Sequence, residues 1–93
     1  MVIFELLGFD VNLSGDFPTY FVFYKFNDKN KKELSLRIQE IFGDKKVNEK
    51  YSSSILEGTN LLVVESLEEL NEESVQKITE LEFVNEVKFA DKL

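Results

Sequence analysis

The chain has 93 residues, 43% of them hydrophobic and 31% charged, with a net charge of −7. This length fits one domain with a small core, and the acidity opposes the phosphate neutralisation that nucleic-acid and anionic-membrane binding require. There is no cysteine and no histidine, which excludes disulfides, thiolate or imidazole metal sites, and Ser-His-Asp or Cys-His catalysis.

Residues 1–19 read as an N-terminal extension. Met1–Gly8 (MVIFELLG) fits a short strand or a first turn, and the residues do not decide between them. Met1–Leu7 lacks a basic start and carries Glu5, unlike a signal peptide, and no segment of the chain reaches transmembrane length. Asp10–Pro18 holds Gly15, Asp16 and Pro18 and reads as turn or loop.

Tyr20–Phe26 (YFVFYKF) is the first clear strand. Strand side chains alternate, so Tyr20, Val22, Tyr24 and Phe26 share one face, and Phe21 and Phe23 the other. Both faces are apolar. Lys31–Phe42 is a helix whose buried stripe is Leu34, Ile38, Ile41 and Phe42. Asn30 with Glu33 resembles its capping box, Gly43 its stop, and Leu36 lies off the stripe. Val47–Leu56 reads as a more polar strand, Glu57–Asn60 as a turn, and Leu61–Glu65 as a third strand that is again apolar on both faces. Asn71 caps a second helix, Asn71–Leu81, with Val75, Ile78 and Leu81 inward. Glu86–Ala90 is the last strand.

The order strand, helix, strand, strand, helix, strand predicts an α+β, ferredoxin-like βαββαβ sandwich over residues 20–93. It has a four-stranded antiparallel sheet with two helices on one face. The two-sided apolar strands take the central places. In so short a chain one sheet face is then left without helices. Lys25 shares a row with Phe21 and Phe23, and Glu65 with Leu61 and Val63, so Phe21, Phe23, Leu61, Val63 and Glu65 are assigned to the open, partner-seeking face. The opposite assignment would place Val22, Tyr24, Leu62 and Val64 there.

Fold alone does not give function. From Tyr20 to about Asp91 the chain resembles the propeptide domain of subtilisin-like serine proteases. The resemblance rests on four features: the Tyr-containing strand YFVFYKF, the Lys-rich, Gly-closed helix KKELSLRIQEIFG, the Val47/Tyr51 spacing in VNEKY, and the run NEESVQKITELEFVNEVKF. The Lys/Asn/Glu/Ile/Phe-rich, cysteine-free composition agrees with the subgroup of clostridial germination proteases, which keep their cleaved propeptide bound. For that subgroup the implied location is the cytoplasm or the spore; for the rest of the family it is the secreted space. The resemblance implies a folding chaperone and inhibitor of a catalytic domain, not itself an enzyme, with no cofactor and no metal. Its open sheet face would sit on the protease, and its tail, Ala90, Asp91, Lys92 and Leu93, would lie product-like in the substrate cleft. Many family members place two carboxylates, one residue apart, just after the last-strand Val; here Val87 is followed by Lys88, Phe89 and Ala90, with Glu86 and Asp91 at other spacings.

Competing readings of single features are weaker. Glu68-Glu69 and Glu72-Glu73 lack the ligand alternation of a calcium loop, and the second pair suits a helix start. Arg37, the sole arginine, sits mid-helix rather than in a phosphate-cradling loop. An RNA-recognition domain would need aromatics and basic neighbours on the third strand, where NLLVVES has neither. The remaining alternative is a ferredoxin-like regulatory or oligomerisation module that pairs through its open sheet face.

Overall fold

The computed structural model describes residues 2–6, 9–13, 17–53 and 58–89. Its elements in chain order are β1 (Val2–Leu6), β2 (Phe9–Leu13), β3 (Thr19–Lys25), α1 (Asp28–Phe42), β4 (Lys46–Ser53), β5 (Thr59–Ser66), α2 (Glu72–Thr79) and β6 (Val84–Phe89), with a short 3-10 turn, Gly43–Lys45, after α1. The strands β3 to β6 form one antiparallel sheet in the order β4-β5-β3-β6. With α1 and α2 they make the ferredoxin-like βαββαβ sandwich. The most apolar strands, β3 and β5, are central, because a central strand meets neighbours on both edges and both faces.

The helix-side core joins Tyr20, Val22 and Tyr24 of β3 and Leu62 and Val64 of β5 to Leu34, Ile38 and Phe42 of α1, Ile78 of α2 and Val84. Tyr20 is its hub. Its ring stacks on Phe89 at 4.9 Å and meets Phe42 edge-on at 5.9 Å. Its hydroxyl accepts the Leu70 N–H at 2.7 Å, tying the approach to α2 onto the sheet.

Helix ends follow the side-chain chemistry, with one correction. The N-cap of α1 is Asn27, not Asn30: Asn27 is extended, and its Oδ1 accepts the Asn30 N–H at 2.7 Å. Asn30 instead donates from its side chain to the Lys25 carbonyl at 2.9 Å, fastening the helix start to the end of β3. At the far end Gly43 takes φ +48°, a left-handed value that favours glycine. The cap of α2 is Asn71, which accepts from Ser74 N–H at 2.8 Å.

A second correction concerns the N-terminal extension. Phe9–Leu13, within a stretch read largely as loop, is a strand that pairs antiparallel with Val2–Leu6. The turn residues Gly15, Asp16 and Pro18 follow this strand, so their signal was extended too far back along the chain. Of the strand expected over Val47–Leu56, residues 47–53 belong to β4, which begins one residue earlier at Lys46, and Ile55 and Leu56 lie outside the described residues.

Replacing Asn27 by Ala removes the acceptor for Asn30 N–H and should cost about 1 kcal/mol, while Asp at the same position should restore most of it. Urea unfolding of the two variants checks this. An Asn27→Ala midpoint equal to that of the parent would contradict the cap assignment.

Candidate functional site

Alternation along β3 and β5 places Phe21, Phe23, Leu61, Val63 and Glu65 on the sheet face away from α1 and α2, since the intervening residues belong to the helix-side core. This face is not open. Phe21 and Leu61 are fully buried, Phe23 is 3% exposed, and Val63 and Glu65 are 7% exposed. Phe21, Phe23 and Glu65 each engage a partner, and Glu65 also accepts from Asn48 Nδ2 at 3.3 Å. The expectation of a solvent-facing aromatic surface is therefore corrected. A sheet face can be covered by strands as well as by helices.

Around this apolar centre the register sets a polar frame. Lys50 and Ser52 on β4 lie opposite Val63 and Leu61, and Lys88 and Glu86 on β6 lie opposite Phe21 and Phe23. Glu86 and Lys88 pair at 3.8 Å. The tail residues Ala90, Asp91, Lys92 and Leu93 lie outside the described residues. The strand that leads to them, β6, forms one edge of the sheet.

The acidic pairs have local explanations. Glu68 forms an ion pair with Lys45, and Glu72 and Glu73 lie in the first turn of α2, beside its unsatisfied N–H groups. Among the described residues no group of three or more carboxylates could hold a metal ion. No helix of the described residues is long and apolar enough to cross a membrane.

A feature that sequence reasoning missed lies on the other side of the sheet, beneath α1. Glu49 and Tyr51 are two apart on β4 and so share a face, opposite Val64 and Leu62 of the helix-side core. The Tyr51 hydroxyl and Glu49 Oε1 are buried without a hydrogen bond of good geometry, and so is the Tyr24 hydroxyl. Glu49 satisfies its other oxygen with Lys46 Nζ at 3.0 Å. Lys31 Nζ sits 4.9 Å from the centre of the Tyr51 ring, as a cation over a π face. Asp28, Lys31, Lys32, Ser35, Leu36 and Tyr51 line a shallow cleft of about 280 Å³ here. Leu36, which lay off the helix stripe, forms part of this cleft wall.

Burial, then the neighbouring Glu49, pushes the Tyr51 phenol well above its ordinary value of 10.0, with Ser35 opposing. Burial also raises Tyr24, with Asn60 opposing. Both phenols are therefore neutral at physiological pH and poor as bases or nucleophiles; they can only donate or accept hydrogen bonds. The alternation of Glu49 and Tyr51 was visible in the sequence. Their desolvation was not, because it depends on α1 lying over them.

Compared with protein-family models, with curated proteins and with solved structures, the chain matches none.

Tyr51→Phe removes a buried hydroxyl without a good partner, a group whose burial costs ~1–3 kcal/mol, so the variant should be at least as stable as the parent. The phenol also gives a pH signature. The unfolded chain releases this proton near pH 10.0 while the fold retains it, so the stability it contributes is full below that pH and falls as pH rises above it. Urea midpoints from about pH 9 to about pH 12 should decline less steeply for Tyr51→Phe. A destabilised variant with an unchanged alkaline slope would show the hydroxyl to be well bonded.

Proposed function

We propose that this chain is a non-catalytic docking domain that works as a propeptide-type inhibitor of a subtilisin-like serine protease. The observation that carries the reading is the position of β6. It is an edge strand, paired on one side with β3, and the residues assigned to the substrate cleft follow it directly. An edge strand has a row of backbone N–H and C=O groups ready to pair with a strand of a partner. The opposite edge is less suited. Both edge pairings carry one register slip, between Lys46 and Asn48 on β4 and beside Phe23 and Tyr24 for β6, but on β4 Lys46 and Lys50 are exposed along the edge, a feature that discourages strand addition.

The resemblance of the βαββαβ segment to the propeptides supports the choice of partner. The absence of histidine and cysteine fits an inhibitor better than an enzyme, since the usual general base and the strongest nucleophile are missing. Docking then runs through the β6 edge and the tail rather than the sheet face, because Phe21, Phe23, Leu61 and Val63 are already buried. The same burial weighs against self-pairing through that face.

Inhibition of a panel of subtilisin-like proteases, beginning with subtilisin, tests the proposal. The full chain should inhibit saturably, and a chain ending at Ala90 should inhibit at least tenfold more weakly, ~1.4 kcal/mol of lost contact. No inhibition by the full chain across the panel, or equal inhibition by both, would overturn it.

A further inference from the structure

The free edge of β6 carries a charge pattern that is complementary to itself. Among the described residues β6 pairs with β3 alone, so its outer side offers backbone N–H and C=O groups to another strand. Glu86, Val87 and Lys88 stand opposite Phe23, Val22 and Phe21 of β3. Val22 belongs to the helix-side core, so Val87 faces the helices, and Glu86 and Lys88 lie on the other face. Glu86 and Lys88 pair at 3.8 Å, yet 53% and 33% of their side-chain surfaces stay exposed. Val87 is half-buried. Residues 86–89 lie beyond the register shift and form the regular part of the strand.

We infer that this edge recognises a second copy of the chain: two β6 strands pair antiparallel about a two-fold axis at Val87, joining the two sheets into one. An axis perpendicular to the sheet keeps the helices of both copies on one side, so each residue meets one from the same face of the other copy. With the axis at Val87, Glu86 faces Lys88 of the second copy and Lys88 faces its Glu86. The two Val87 side chains meet on the helix side. Each carboxylate then has an ammonium beside it along its own strand and another across the interface. Moving the axis one residue either way sets Glu86 against Glu86 or Lys88 against Lys88, which is destabilising. The charge pattern thus selects one register, and it selects this chain as the occupant. The other edge lacks such a pattern: on the same sheet face β4 carries Lys50 between Asn48 and Ser52, with no acid to match it. The inference needs only the edge position of β6, not the protease reading; where both hold, the dimer and a protease complex compete for one edge.

Sedimentation of the full chain alone, without protease, from about 10 μM to about 1 mM tests this. The parent should pass from monomer towards dimer over that range. Glu86→Lys and Lys88→Glu should each weaken the dimer about tenfold, because every dimer contains the contact twice. The two substitutions shift the net charge in opposite directions, so a loss shared by both reports the local contact. The double exchange, Glu86→Lys with Lys88→Glu, should bring the dissociation constant back to within about threefold of the parent. A parent that stays monomeric, a dimer indifferent to the single exchanges, or a double variant no tighter than the singles would overturn the inference. The inhibition panel, run at concentrations where the chain is monomeric, reads the protease proposal separately, so either can fail alone.

Discussion

The pairing of β3 with β5 is the constraint on which the rest of the structure depends. Phe21 faces Val63 and Phe23 faces Leu61 on one side, while Val22 faces Leu62 and Tyr20 faces Val64 on the other. Each side needs cover, because an exposed apolar patch of this kind invites association. Helices α1 and α2 cover one side with Leu34, Ile38, Phe42 and Ile78. The other side is just as dry. A central pair that is apolar on both faces therefore fixes the sheet order.

The edges of this sheet are treated differently. On β4 exposed lysines blunt the rim, whereas β6, whose pairing with β3 shifts between Phe23 and Tyr24, has Phe89 stacked on Tyr20. Tyr20 thereby couples three elements, since it also meets Phe42 of α1 and holds the Leu70 N–H ahead of α2. The last strand is anchored at the end nearest the tail.

Beneath α1 the core carries polar groups that gain little from their surroundings. The Tyr24 and Tyr51 hydroxyls and one oxygen of Glu49 are shut away from water without good partners. Such groups are costly, and in a small domain the cost is a sizeable part of a modest net stability. The phenols stay protonated, because burial disfavours their charged form.

Much of the fold was legible in the sequence because it rests on local rules. The two-sided runs in β3 and β5, the stripe Leu34, Ile38 and Phe42, the stop at Gly43 and the start at Asn71 depend on alternation, helical period and capping. Those are properties of neighbours along the chain. The cap of α1 at Asn27 rather than Asn30 was misplaced because both are asparagines, and the choice turns on where β3 ends. The state of Phe21, Phe23, Leu61 and Val63 was beyond the sequence, as was the desolvation of Tyr51. Alternation tells which residues share a face, but whether that face meets water depends on segments distant in sequence, and burial is a property of the assembled layers.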